Sequence, residues 1–198
     1  MALSAGIARF SSDPSALPPR WVRMLRSAVL LAVGLAITFT ATLHGELAFD
    51  VAMASSGLGV IGAVHLVEWA QRRRTGAGAP ISLLLGLVGL VATGLIFLLR
   101  TETAFVMVLA GWALVSALLE FIGMVVFPGS RQDAPILGFI GVLLALLVLV
   151  SNGDLVAVIG FFGGYAIIAG VFLGIAALDR RGEAQASPTP VPQAESER

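Results

Sequence analysis

Long apolar runs separated by short polar breaks dominate the chain. The runs cover about 24–43, 48–70, 81–99, 103–127, 135–151 and 154–178, and the breaks read LHGE, RRRTGAGAP, LRTET, FPGSRQDAP and SNGD. A bilayer core of about 30 Å takes roughly 20 apolar residues in a helix. Each run therefore predicts a membrane-crossing helix, the fifth being short enough to recruit its flanks. One such run would also fit the buried helix of a water-soluble core. Six in succession leave almost no polar residues for an aqueous surface. The predicted fold is all-α: a polytopic membrane protein of six transmembrane helices, arranged as three repeated antiparallel hairpins over about 24–70, 81–127 and 135–178.

Charge placement adds an orientation. All twelve cationic residues are Arg, and eleven lie in the N-terminal segment, the 71–80 loop, the 128–134 loop or the C-terminal tail. Arg100 alone falls in a loop on the other side. The positive-inside rule then puts both termini in the cytoplasm, and the Arg-only usage fits a GC-rich bacterium, hence a bacterial inner (cell) membrane. Residues 1–23 read as a cytoplasmic segment without a secretory signal, because no sustained apolar stretch precedes Arg26 and no small-residue cleavage site follows the first one. Residues 24–178 form the membrane domain. Residues 179–198 are Pro-, Ser- and Glu-rich and predict a disordered tail.

Composition narrows the chemistry. Only 12% of residues are charged, against 58% hydrophobic, and the formal net charge is zero. A neutral surface argues against nucleic acid, which needs basic side chains. With no Cys, disulfides, thiol nucleophiles and thiolate metal sites are excluded.

The second helix of each hairpin carries a related segment: SSGLGVIGAVHLVEWA (55–70), LAGWALVSALLEFIGM (109–124) and FGGYAIIAGVFLGIAA (162–177). Aligning Gly57, Gly111 and Gly164 brings Leu58, Trp112 and Tyr165 into register, then Gly62, Ser116 and Ala169, then Ala63, Ala117 and Gly170. The first helices agree more loosely through Gly34, Gly89 and Gly141. Small residues let membrane helices approach closely where lipid supplies no hydrophobic drive. These positions therefore predict the seams along which the hairpins pack.

The fullest copy is LLGLVGLVATGLIFLLRTETAFVMVLAGWALVSALLEFIG, residues 84–123. Its glycine-and-leucine first helix and its GW-type second helix resemble the HdeD-like small six-helix bacterial membrane proteins, the acid-resistance membrane protein family, over roughly residues 24–178. The resemblance implies a six-span integral membrane protein, in some members linked to survival of acid stress. It carries over no catalytic residue. Many relatives have a proline in the turn between paired helices, whereas the turns here are LHGE, LRTET and SNGD.

Ionisable groups inside a span are functional candidates by default, since burying one costs at least about 2.5 kcal/mol on insertion scales. Glu120, about eight residues before its loop, is the deepest. It reads either as a proton-sensing or proton-carrying group, or as a neutral acid bonded across a helix seam. His65, Glu68 and Arg72 share one helix face at i, i+3 and i+4 spacing. They read as a proton relay or, as the favoured alternative, as a snorkelling cluster at the headgroups beside Trp69. At the other side, His44, Glu46 and Asp50 cluster, with Arg100, Glu102 and Asp154 in neighbouring turns, and side-by-side hairpins would join them into one titratable rim. His44 and His65 belong at opposite ends of their hairpin, which makes a shared metal site improbable. There is no H-x-x-x-H pair, Walker loop or nucleophile elbow.

The expected function is that of a non-enzymatic integral membrane protein of envelope or acid-stress homeostasis, structural or accessory, with no cofactor and no metal. Its partners are the lipid bilayer and either further copies of itself or a larger membrane complex. The alternative is a proton-coupled transporter or channel subunit using Glu120.

Overall fold

The computed structural model describes residues 18–73, 79–127 and 133–178. Within them lie six α-helices: α1 (Arg20–Phe39), α2 (Leu47–Arg72), α3 (Ala79–Leu99), α4 (Glu102–Val126), α5 (Ala134–Val150) and α6 (Leu155–Leu178), with a 3₁₀ turn at Ala41–Leu43. All but α5 are long and apolar enough to cross a bilayer. The 17 residues of α5 give about 26 Å of helix at ~1.5 Å per residue, slightly less than a bilayer core. The protein is an all-α polytopic membrane protein. The expected disordered tail and the loops carrying Arg74 and Arg131 lie outside the described residues.

Five helices begin and end within two residues of their apolar runs. The exception is α1, which sits four residues earlier than the run at 24–43, beginning at Arg20 instead of 24 and ending at Phe39 instead of 43. Local chemistry explains the shift. Pro19 is extended, with φ −50° and ψ 143°, and opens the helix immediately before Arg20. At the far end Thr38 and Thr40 donate to the carbonyls of Gly34 and Ala36, and the chain tightens into the 3₁₀ turn. Gly45, at φ +104°, then takes a backbone shape that side chains disfavour and turns the chain into α2. Consequently Arg26 lies inside a helix that the apolar pattern started only two residues before it.

Each helix packs on its chain neighbours, and α6 returns to pack on α1, so the six close into a ring. The most extensive packing is α2 on α3, α1 on α6 and α4 on α5. The close seams thus join helices of different pairs, and the packing within pairs 1–2, 3–4 and 5–6 is less extensive than in tight hairpins. Small residues explain where they fall. A Cβ on Gly34 would lie 2.8 Å from the Gly163 carbonyl oxygen, one on Gly62 3.0 Å from that of Gly86, and one on Gly141 3.2 Å from Ala117 Cβ. Backbones this close exclude larger side chains. Ser27 of α1 adds a hydrogen bond to the Gly170 carbonyl across the α1–α6 seam, 2.8 Å. The anchor glycines of the second helices behave differently. A Cβ at Gly111 or Gly164 would meet nothing within 4 Å, whereas one at Gly57 would press on Val33. The seams thus run through Gly34, Gly89 and Gly141 of the first helices rather than through the anchor position.

The core holds Leu58, Leu109, Phe105, Val148, Ile159 and Phe162. Large apolar side chains also cover the outside: Leu98 is 76% exposed, Val125 71% and Val150 85%. An apolar exterior of this extent suits lipid, not water.

Candidate functional site

The α2 end shows how the local pattern builds the site. His65, Glu68 and Arg72 fall on one face because three- and four-residue steps return to the same side of a helix. That face turns into the bundle. Glu68 Oε1 lies 2.8 Å from Arg72 Nε, and Glu68 Oε2 lies 3.7 Å from His65 Nδ1. The side chains of His65, Glu68 and Arg72 are 8%, 2% and 4% exposed. This corrects the reading of the trio as a snorkelling anchor, which would put those groups at the headgroups. The opposite face of the same turn keeps that character: half-buried Trp69 receives the exposed guanidinium of Arg73 over its ring at 5.5 Å.

Helix α1 supplies the residue that joins the site together. Arg26 Nη2 donates to Glu120 Oε1 at 2.8 Å, and its Nη1 lies 3.7 Å from Glu68 Oε2. One guanidinium therefore serves carboxylates on α2 and α4. Among the described residues the cluster, with Arg72, holds two carboxylates and two guanidiniums, with the imidazole of His65 beside them. Pairing matters because an unpaired charge in an apolar interior is far more costly than a paired one. Glu120 was expected to be the deepest of the charges; the structure pairs it with Arg26.

Glu120 also ends a stripe on α4. Trp112, Ser116 and Glu120, at i, i+4 and i+8, line one small cavity with Arg26, His65 and Tyr165. Its volume is about 20 Å³, room for a single water. Trp112 stands edge-on to both Phe162 and Tyr165 of α6, with ring centroids 5.7 and 5.9 Å apart. The aromatic contacts fill the space beyond the cavity.

The other end of the bundle holds His44 and Asp50. His44 Nδ1 is 2.6 Å from Asp50 Oδ1, and Nε2 is 2.9 Å from the Ile37 carbonyl oxygen. The Gly45 N–H donates to Asp50 Oδ2 at 3.1 Å. Both side chains are buried, at 3% and 0% exposure. The pair ties the end of α1 to the start of α2. The shared rim does not form among the described residues. Asp154 accepts from the Ala157 N–H and caps α6, Arg100 stacks on Phe97, and Glu46 and Glu102 are exposed.

Of the candidates, Glu120, His65 and Glu68 are brought together, and His44 stands apart at the far end of α2. Arg26 and Tyr165 were missed. A signal for Arg26 was present: the buried positions of α1 are Val22, Ser27, Leu30, Gly34 and Ile37, and Arg26 stands four residues from both Val22 and Leu30, on their side of the helix. Among the described residues no group of three or more His, Asp or Glu side chains is placed to hold a metal ion. No family model, no curated protein and no solved structure matches this chain.

Proposed function

We propose that this chain is a non-enzymatic six-span membrane protein built as three antiparallel hairpins, serving envelope or acid-stress homeostasis as a structural or accessory component. Its working part is the Arg26–Glu120–Glu68–Arg72 network with His65. The observation that carries this reading is the closure of that network. Four charged groups from three helices neutralise one another beside a cavity with room for a single water. Such an arrangement ties α1, α2 and α4 together. The resemblance of residues 84–123 to HdeD-like proteins supports the acid-stress part. The arginine distribution supports a bacterial inner membrane with both termini in the cytoplasm, and the network then lies at the cytoplasmic end.

A proton-coupled transporter or channel subunit is the second reading. It is favoured by one observation, that Glu120 faces both a cavity and a second ionisable group. Proton flux into proteoliposomes separates the two. The structural reading expects no flux from wild-type protein or from Glu120→Gln, and a fall in thermal stability of the variant. Wild-type flux abolished by Glu120→Gln would overturn it in favour of transport. Survival at low pH of host cells lacking the protein tests the stress role. Wild type is expected to restore survival, and a deletion without an acid phenotype would remove that role.

A further inference from the structure

Far from the ion-pair network, between the first turns of α2 and the last turn of α3, lies a cavity of about 230 Å³. It is lined by Leu47, Ala48, Val51, Ala52, Phe97 and Arg100. One water needs only about 10–15 Å³ and at least two polar partners. Here five of the six lining side chains are apolar, so water gains little by filling the space. The cavity opens outward: Phe97 is 55% exposed, and Ala48 and Ala52 are exposed as well. In a membrane protein that outside is lipid.

Arg100 gives the cavity a charged edge, and its geometry is specific. It follows the last residue of α3 with φ +47°, the one non-glycine residue among those described with positive φ. Glycine or asparagine normally takes that left-handed position after a helix, and strained backbone of this kind collects at functional positions. The guanidinium lies over the Phe97 ring, 4.5 Å from its centroid, and Nε donates to the Phe97 carbonyl at 2.9 Å. These contacts fix the plane of the group. Its terminal nitrogens, Nη1 and Nη2, have no protein partner among the described residues. The nearby acids do not claim them: Asp50 is bound to His44 and Gly45, Asp154 caps α6, and Glu46 and Glu102 form no ion pair with Arg100 among the described residues. The other described arginines, at 20, 23, 26, 72 and 73, stand at the opposite end of the bundle.

We infer that this cavity is a phospholipid site, with one acyl chain against Leu47, Val51 and Phe97 and the lipid phosphate held by the Arg100 terminal nitrogens. A planar guanidinium with two free donors matches phosphate oxygens bidentately. A soluble anion would leave the apolar part of the cavity empty, and an apolar segment would leave the cation unmatched. A phospholipid supplies both parts at the level where a helix meets the headgroups.

Two photoactivatable probes with the same diazirine acyl chain test this, in vesicles containing the full-length protein. One is phosphatidylglycerol and the other is diacylglycerol, which lacks phosphate. In wild type, phosphatidylglycerol is expected to label residues 47–52 and Phe97 more strongly than diacylglycerol does. Arg100→Gln should lower that labelling about tenfold, the size of one lost charge-assisted contact, and leave diacylglycerol labelling unchanged. Ala52→Trp fills the groove and should lower both. Arg100→Gly adds a readout that a purely structural arginine would not give: it suits the backbone, so thermal stability holds or rises while phosphatidylglycerol labelling falls. Equal labelling by the two probes in wild type, or labelling unaffected by Arg100→Gln and Arg100→Gly, would overturn the site.

Discussion

At the Arg26 end of the bundle, buried charge is shared across three helices; at the His44 end it is settled inside a single turn. Arg26 reaches Glu120 from a position 94 residues away, whereas His44 and Asp50 are six apart. Both ends bury groups that would be costly alone. The difference lies in what each arrangement holds. The first joins α1, α2 and α4 and needs all three helices in place. The second pins the end of α1 to the start of α2 and needs only the turn between them. A long-range network therefore reports on the assembled bundle, and a local pair reports on one connection.

The largest effect should come from Arg26→Gln, which removes the cation that Glu120 and Glu68 share. Breaking a buried ion pair on one side costs about 3–5 kcal/mol, read as a lower midpoint of thermal unfolding in detergent. Pairing Arg26→Gln with Glu120→Gln should recover part of that loss, because the double variant removes both charges. Simple addition of the two single losses would mean that the 2.8 Å contact carries no coupling. At the other end, Asp50→Asn should cost less, about 1–3 kcal/mol for buried donors left poorly matched. Hydrogen exchange should quicken only around residues 37–50 for that variant, but in α1, α2 and α4 for Arg26→Gln. Exchange that spreads equally in both would erase the distinction drawn between the two ends. The smallest effect belongs to Glu46→Gln, beside the local pair but exposed, which should leave the melting midpoint unchanged.

The two ends were also unequally legible in the sequence. Six helices could be read from apolar runs because a membrane span declares itself by length and hydropathy, and the polar breaks marked their ends. The His65–Glu68–Arg72 face followed from helical spacing alone. Its direction did not, because a lone helix with Trp69 and three arginines at its end fits the headgroup region as well as a bundle interior. Only the partner on α1 decides between them, and Arg26 had been counted with the charges of the N-terminal segment. The seams show the same limit. Recurring glycines indicated close packing, yet which of them met a neighbour depended on helix rotation, so Gly34 and Gly141 are tight and Gly111 is open. His44 and Asp50 were grouped correctly by proximity. Their withdrawal from water was hidden, because turn residues are ordinarily exposed.

The closing of the ring by α6 against α1 has a consequence for how the molecule is made. Ribosomes deliver about 5–20 residues per second, so α1 must wait while most of the chain is synthesised before its most extensive neighbour exists. During that interval the Gly34 face has no tight seam, and Arg26 lacks its carboxylate on α4 for roughly 5–20 s after it emerges. Glu68 arrives sooner and gives the guanidinium an earlier, more distant counter-charge. The first span is thus held provisionally by the second and permanently by the last, and a chain interrupted before α6 would leave its opening helix standing at an unfinished wall.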